Sequence, residues 1–578
     1  MIKSLNNQFP EILICSFNRN KKINIKDYIE KNSDYLKKEY LDFCTNLENI
    51  KLNNNSLYSY YAAKNNHNFW EMSLIKEKSI IKSKKIYDVI VFLAIKKIAH
   101  DNKADKIILY NFIVIDEVIN FFKNCKVELI LANHKRDTSI KIKSFLKKFL
   151  LIYIFFYLCV LIKKLYTEVK KGSFRDSENN FVVFGYFAHY FFKNKKLIFN
   201  QFGDLRKLLN KKFTIGYQYI FVSSNNNSTI NSLPALIKSK YSFLNANINF
   251  SDKIFIIFKF FFYSFKFFFV KKKILLKLKN SDNCIFLILS EDYDSSFCGY
   301  VFLENLIWIQ IFENYLSKTK KKKYGVFLLE NQAWEKAMIT AWKNYGHGDI
   351  IGYTPTSINY WHMYNFDNST RNYSSPTKIF ISSNEGYKLL KRQYDKKKII
   401  IHKMESLWFN YLVEKKINSN KNNNLVLILG DYDPTNNYEV LDIVSNSNLS
   451  KKSKILFKAH PHDLTKYNLD NIDQTKESND YFFDKASLVI SSGSTAAILE
   501  YLYFRKKIFI YDNPFNFDMS PVKHLKYPLK FRSLEEFNNL LKKNTNKSSI
   551  IKKYNNYYFL NKNLKRWKKF FTYSYIDV

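Results

Sequence analysis

The sequence predicts an α/β fold with parallel sheets, because short apolar runs fit for buried strands alternate with helical stretches over most of its length. Three places show this plainly. Residues 1 to about 140 alternate helix-like and strand-like segments. Gly325 to Tyr353 reads as strand, helix, strand. Leu488 to Tyr511 reads as one βαβ unit: Leu488-Val489-Ile490, then a helix from Ala496 to Phe504, then Ile508-Phe509-Ile510-Tyr511.

At 578 residues the chain has room for more than one domain. Lys plus Arg is 92 against 51 Asp plus Glu, a formal net charge of +41. That surplus favours polyanionic partners such as anionic lipid or a phosphorylated substrate. Much of it is Lys beside Asn, Ile and Tyr, which also fits drift in an AT-rich genome. Nucleic-acid binding has the charge but no recognisable module, so it is set aside. The six cysteines have no paired spacing, which suits a reducing compartment and argues against a zinc module. The N-terminal segment lacks a signal-peptide apolar core, so a cytoplasmic catalytic part is expected.

From the N-terminus, Glu11 to Cys15 reads as a strand and Ile25 to Leu47 as a charged helical stretch. Val89 to His100 reads as a helix, Asp105 to Tyr110 as a strand, Val114 to Asn124 as a helix and Val127 to Ala132 as a strand. This alternation predicts a parallel sheet covered by helices.

Two apolar stretches follow. Phe149 to Ile162 is uncharged and bracketed by Lys147-Lys148 and Lys163-Lys164. A membrane span needs about twenty residues, so a helix dipping into the interface is expected, and a buried core helix is the plainer alternative. Ile254 to Val270 is Phe-rich and contains Lys259 and Lys266, which fall on one helical face. A basic aromatic helix of this kind suits an anionic membrane surface. Together the two predict a protein peripheral on the inner face of the cytoplasmic membrane.

Further on, Phe181 to Tyr186 and Cys284 to Leu289 read as strands, the second leading into Asp292-Tyr293-Asp294. Gly325 to Leu329 ends at Glu330, and Asn331 is placed to cap the helix from Ala333 to about Trp342. Glu330 at a strand end and Glu335 in the first helical turn stand where a parallel sheet opens into a crevice. Either could act as a general base, and Glu335 could equally serve only the helix dipole.

The C-terminal part carries the strongest chemistry. Leu425 to Leu429 is a buried strand ending in Gly430-Asp431-Tyr432-Asp433. Ile455 to Ala459 is a strand leading into His460-Pro461, with Lys458 beside it. Ser491, Ser492, Ser494 and Thr495 follow the strand Leu488–Ile490. Ligands of open α/β sheets sit beyond the carboxyl ends of the strands, where a helix start offers free N–H groups. A histidine and a hydroxyl-rich helix start on one sheet edge predict a diphosphate or nucleotide-phosphate site. An ordinary N-cap run is the plainer alternative. Asp292-x-Asp294 and Asp431-x-Asp433 match a metal-binding DxD in letters only, and no metal is expected.

Glu330 to Trp342 (ENQAWEKAMITAW), Tyr345 to Gly352 (YGHGDIIG), His402 to Phe409 (HKMESLWF), Lys458 to Pro461 (KAHP) and Leu488 to Pro521 resemble the bacterial surface carbohydrate biosynthesis proteins of O-antigen and capsule loci. KAHP and SSGST are also similar to the His-Pro and Ser-Ser motifs of capsule polysialyltransferases and Kdo-transferases, and teichoic-acid glycerophosphotransferases have a comparable pair. The resemblance covers roughly residues 180 to 525 and implies a GT-B fold, two Rossmann-like domains facing across a cleft. It implies a metal-independent glycosyltransferase that uses a nucleotide sugar as co-substrate, needs no other cofactor, and acts on a lipid-linked or growing surface glycan. His460, with Ser491, Ser492, Ser494 and Thr495, would bind the donor phosphate, and Glu500 would reach a ribose hydroxyl. The acidic base motif of the sialyltransferases is not evident, and His189, Asp292, Asp294 and Glu330 stand as substitutes. Where a relative has Arg beside the Glu405 segment, this chain has Trp408. Transfer of a phosphopolyol from a CDP-polyol and a non-catalytic assembly scaffold are the alternatives. The expected organisation is an N-terminal α/β region (1–140), a membrane-associating helix (141–172), an acceptor domain (173–371) holding the helix 254–270, a nucleotide-binding domain (372–530) and a basic helical tail (531–578).

Overall fold

A computed structural model describes residues 11–16, 19–110, 116–132, 150–168, 179–186, 190–193, 196–199, 202–203, 205–209, 213–220, 242–244, 248–416, 424–449, 453–461, 463, 465–467, 471–523, 527, 529–542 and 557–573. His189 lies outside the described residues. The chain divides into two compact units. The first holds Met1–Tyr353, Met363–Phe380 and Leu390–Ile401; the second holds Thr354–His362, Ile381–Leu389 and His402–Val578.

The first unit contains a seven-stranded sheet. In spatial order its strands are Ser242–Phe243, Ile215–Ile220, Phe181–Tyr186, Tyr324–Leu328, Asp349–Thr354, Lys378–Ile381 and Ile400–Lys403. The first five run parallel. The chain starts in the middle, at Phe181–Tyr186, builds outward to one side, then returns to build outward on the other. This is doubly wound topology, and its switch point lies between Phe181–Tyr186 and Tyr324–Leu328. Both strands are almost wholly buried apolar runs, as strands covered on both faces must be.

A separate four-stranded sheet occupies the N-terminal region, with Glu11–Ser16 between Arg19–Asn24 and Lys106–Tyr110, and Glu128–Ala132 outermost. It is mixed, not parallel as expected. Glu11–Ser16 is antiparallel to both neighbours, and only the Lys106–Tyr110 and Glu128–Ala132 pair is parallel. The short connection from Ser16 to Arg19 can only make a hairpin, which forces the antiparallel pairing.

Between Ser242–Phe243 and Tyr324–Leu328 lie four helices, Phe250–Lys277, Asn280–Ile288, Ser290–Cys298 and Tyr300–Lys318. The expected strand over Cys284 to Leu289 is therefore a helix. Cys284, Ile285, Phe286 and Ile288 are buried and Leu287 only partly, so the apolar run marks a helix packed among other helices and not a strand. Asp292 and Asp294, expected beyond a strand end, are helical. Asp292 accepts the Ser83 hydroxyl, and Asp294 pairs with Lys271 at 2.6 Å. Neither is placed as a base or a metal ligand.

Phe250–Lys277 buries Ile256, Phe260, Phe267, Val270 and Ile274 along one face. It packs against Leu150–Glu168, the helix formed by the earlier apolar stretch. The helix Leu150–Glu168 buries Ile154 and Leu161 and exposes Phe155, Phe156 and Ile162. Among the described residues no helix is long and apolar enough to cross a membrane. Lys266 turns inward to donate to the Tyr60 carbonyl at 3.4 Å, and the Lys259 ammonium lies over the Phe255 ring. Lys266 thus turns from the expected surface toward protein, whereas Lys259 lies along its own helix.

A buried ion network also stabilises this unit. Glu48 pairs with Lys76 at 2.8 Å and with Arg371 at 2.6 Å. Asp367 pairs with Lys397 at 2.9 Å, Lys76 at 3.1 Å and Lys78 at 3.4 Å.

The second unit is built on a six-stranded parallel sheet. Its order is Asp473–Gln474, Lys454–Lys458, Leu425–Leu429, Ala486–Ser491, Lys507–Tyr511 and Lys530–Phe531. This is again doubly wound, with the switch point between Leu425–Leu429 and Ala486–Ser491. The C-terminal segment closes onto the same unit. Trp567 is fully buried and donates its indole N–H to the Glu405 carbonyl at 2.9 Å.

Candidate functional site

At the switch point of the second unit, three strands end side by side in the loops that begin at Gly430, Ala459 and Ser492. Close packing there requires Gly430, since a Cβ would stand 3.1 Å from the Phe457 ring and 3.2 Å from the Ala459 Cα. Gly493 takes the left-handed backbone, φ +124°, that turns the serine loop.

The loop does not open straight into a helix. The expected helix from Ala496 is shortened to Ile498–Tyr503. Ala496 and Ala497 instead form a turn before it. Ser491 and Ser492 are buried. The Ser491 hydroxyl accepts the Gly493 N–H at 3.3 Å, and the Ser492 hydroxyl donates to the Leu429 carbonyl at 3.1 Å. These two hydroxyls hold the loop together and are not presented as ligand donors. Ser494 gives its N–H to Asp431 Oδ2 at 3.2 Å and its hydroxyl to Asp431 Oδ1 at 2.8 Å. Asp431 is only 2% exposed and also accepts Asn436 at 3.2 Å. A carboxylate therefore sits on the donors expected to hold phosphate.

What remains open is the turn beyond. The Thr495 hydroxyl accepts the Ala497 N–H at 3.4 Å, and the N–H groups of Thr495 and Ala496 have no acceptor among the described residues. His460 is half-buried past the end of Lys454–Lys458, its ring edge-on to the exposed Tyr432 ring at 6.5 Å. Lys458 is turned away and donates to the Glu477 carbonyl, and burial lowers its pKa. Glu500 is buried and accepts Tyr411 at 2.7 Å and Asn479 at 3.2 Å. Burial raises its carboxyl pKa to about 7 against those two hydrogen bonds. It is a packed polar pair with Tyr411, not a free acid aimed at a ribose.

The first unit places its acidic residues at its own switch point. Tyr186 ends one of the two flanking strands, and Glu330 follows the other. The Tyr186 hydroxyl donates to Gln332, the Trp334 indole donates to that hydroxyl, and the Gln332 amide donates to Glu330 at 2.5 Å. Glu335 accepts the backbone N–H groups of Glu330 and Asn331, each at 3.0 Å. Asn331, expected to cap the helix, has φ +58° and donates to the Lys76 and Glu77 carbonyls; Gln332 takes the cap position with no side-chain bond. Burial, then the charge of Glu330, pushes the Glu335 carboxyl well above its usual range. Burial also raises Glu330. Glu335 thus fixes the loop, and Glu330 is the acid that stays partly exposed.

No family model matches the sequence, and no curated protein matches it. Solved structures similar to the chain include CalG4, the calicheamicin glycosyltransferase, at 8% identity and TM-score 0.34, covering 65% of this chain and 91% of that one. Arabidopsis thaliana UGT89C1 is similar at 8% identity and TM-score 0.35, covering 66% and 94%. A Siraitia grosvenorii UGT transferase in complex with UDP is similar at 8% identity and TM-score 0.35, covering 65% and 93%.

Tyr186 and Gln332 were not legible as site residues, and Asp431 was visible only in a strand-end loop and as a DxD match in letters. The one available signal was position: Asp431 directly follows a glycine at the end of a buried strand. No group of three or more His, Cys, Asp or Glu suited to a metal ion occurs among the described residues.

Proposed function

We propose that the chain is a glycosyltransferase of the GT-B kind, moving a sugar from a nucleotide-activated donor to a lipid-linked or growing surface glycan. The observation that carries this reading is the switch point of the second unit. There the unpartnered N–H groups of Thr495 and Ala496 and the imidazole of His460 follow the two strands that flank Leu425–Leu429. Doubly wound sheets bind nucleotides at such points.

In this reading the diphosphate of the donor lies at the Thr495 and Ala496 amides, beyond Ser494, and the exposed Tyr432 ring gives a base a face to stack on. A base takes the proton of the acceptor hydroxyl, whose oxygen bonds to the anomeric carbon. The bond from that carbon to the diphosphate oxygen breaks, and the nucleoside diphosphate leaves with the electron pair. His460 and the two amides stabilise the negative charge that grows on the leaving oxygen. Within the first unit, Glu330 is the acid best suited to take a proton, since burial raises its proton affinity and Glu335 is occupied by the backbone. No step calls on a metal. The protein works against an anionic inner-membrane surface, and the exposed Phe face of Phe250–Lys277 with Lys272 and Lys273 at its end supports that placement. The same phosphate site would serve a CDP-polyol donor.

Thermal-shift binding against CMP, CDP, UDP, GDP and dTDP, wild type beside His460→Ala, tests this. A rise in Tm with one nucleotide, lost in the variant, supports the donor site and narrows the sugar class; CDP alone would turn the reading toward polyol phosphate. No rise with any nucleotide in folded protein would leave the scaffold alternative standing.

A further inference from the structure

A cavity of about 550 Å³ opens in the first unit, away from the strand ends described above. One wall is Phe255, Phe258 and Phe262 of the helix Phe250–Lys277; the other is Leu306 and Ile309 of Tyr300–Lys318. Its volume lies in the range of pockets that enclose small ligands, roughly 300–1,000 Å³.

The polar groups of the cavity are paired in a telling way. Glu313 accepts Asn65 at 2.6 Å, His67 at 2.7 Å and Tyr345 at 2.8 Å. Burial alone would raise its carboxyl, but the bonds from His67 and Tyr345 outweigh burial and hold it below the usual range. Asp252, in the first turn of Phe250–Lys277 and outside the lining, is likewise taken up, by Gln310 at 2.9 Å and Asn314 at 2.7 Å. The acidic groups are thus spent on protein donors. The cations are not. Lys259 is half-buried in the cavity wall, and Lys64 stands exposed at its edge. Neither has a carboxylate within ion-pair distance among the described residues. Burial lowers the Lys259 pKa, the mark of a desolvated ammonium whose charge is only partly offset.

The three phenylalanines also belong to a longer stripe. Phe255, Phe258, Phe262, Phe265 and Phe269 recur at spacings of three and four, and each is exposed, Phe258 by 68%. A surface that covers this stripe also covers the cavity mouth.

We propose that this cavity binds one anionic, single-chain amphiphile. Its chain lies between the phenylalanines and Leu306 with Ile309, and its acidic head meets Lys259 and Lys64. The inference goes beyond the transfer reading, since such binding is expected whether or not the chain moves a sugar. Two features favour an anionic lipid over a nucleotide. The cavity is continuous with an exposed apolar helix face, and its cations, Lys259 in the wall and Lys64 at the edge, sit beside aliphatic and aromatic side chains.

The test uses the full chain and 11-(dansylamino)undecanoic acid as a fluorescent probe, with myristate, tetradecanol and UDP as competitors. The probe is expected to bind with a blue shift, to be displaced by myristate, and to be unaffected by UDP. Ile309→Trp, which fills the cavity, should weaken the probe at least about tenfold. Phe258→Gln does the same from the exposed side and covers the case in which Ile309→Trp does not fold. Lys259→Gln should weaken myristate at least about fivefold and leave tetradecanol unchanged. Phe265→Ser, on the stripe but outside the cavity, should not alter probe binding. No probe binding, wild-type affinity in Phe258→Gln, or displacement by UDP would overturn the proposal. Equal loss of myristate and tetradecanol in Lys259→Gln would overturn its anionic part. Nucleotide thermal shifts are independent of all these outcomes, so the two readings fail separately.

Discussion

Asp431 and Ser494 are joined across the switch point of the second unit by two hydrogen bonds, N–H to Oδ2 at 3.2 Å and hydroxyl to Oδ1 at 2.8 Å. The serine loop is therefore tied down by a carboxylate where a phosphate was expected. If a diphosphate binds at the neighbouring amides, it does so against that charge. Asp431→Asn should then tighten the responding nucleoside diphosphate by about tenfold, or ~1.4 kcal/mol. It should also lower Tm, because an amide cannot accept from every donor that Asp431 now serves. Isothermal titration calorimetry reads the first effect. Unchanged affinity would place the phosphate elsewhere.

Glu330 and Glu335 should separate cleanly. Glu335→Ala orphans two backbone N–H groups and should cost about 2 kcal/mol or more of stability. Glu330→Gln should leave Tm nearly unchanged and lower turnover with the identified donor by about 10²–10⁴. Urea unfolding and initial-rate measurements distinguish them. Full turnover in Glu330→Gln would remove it as the base.

Glu500 gives a pH signature. Its carboxyl is raised to about 7 in the fold from 4.5, with burial the main cause. The folded state thus binds this proton more tightly than the unfolded chain. Its stabilising contribution is complete below about pH 4.5, is lost as pH rises toward 7, and is flat above. The shift corresponds to about 3 kcal/mol at most. Glu500→Gln should flatten the fall in unfolding free energy between pH 5 and pH 7 and be the more stable protein at pH 8. Parallel wild-type and variant curves would exclude Glu500 as its source.

The parallel-sheet α/β architecture was legible because Leu425–Leu429 and Lys507–Tyr511 are short aliphatic or aromatic runs bounded by turn residues, as buried parallel strands are. Cys284 to Leu289 offers the same pattern and folds as helix, packed against the helices Lys85–Asp101, Asp116–Asn124 and Ser290–Cys298. Local sequence does not record that surrounding. Lys259 and Lys266 were placed correctly on one helical face, but which way that face points depends on Tyr60 and Glu313, far away in the chain. The serine loop was visible as hydroxyls at a strand end. That Asp431 would consume them was not, since the partners are 63 residues apart.

Asp367 should prove the most costly acid to remove from the first unit. Its carboxylate serves Lys76, Lys78 and Lys397, all nearly buried. Burial alone would raise its pKa, but those lysines outweigh it and hold the carboxyl far below the usual range. Asp367→Asn should therefore lose about 3–5 kcal/mol at pH 7. A depressed pKa stabilises above the unfolded value and weakens as pH falls below about 3.8, so the deficit should shrink in acid by up to ~1.4 kcal/mol per unit. Adding Lys78→Met should recover part of it. Urea unfolding at pH 7 and pH 3 reads both effects.

The exposed stripe of Phe250–Lys277 makes a prediction about lipid. Phe265 and Phe269 are each 45% exposed and lie outside the cavity. Burying a Phe side chain is worth about 1.5–3 kcal/mol. Half-exposed rings deliver a fraction of that each. Phe265→Ser with Phe269→Ser should then lower partition onto vesicles containing phosphatidylglycerol by on the order of tenfold or more. Ile81→Ser, which removes an exposed apolar residue off the stripe, should leave partition unchanged. Partition should weaken with added salt, since lysines at the helix end supply the attraction to the anionic surface. Co-sedimentation at two salt concentrations measures all three. Equal partition of the double variant and wild type would mean that this face meets something other than a membrane.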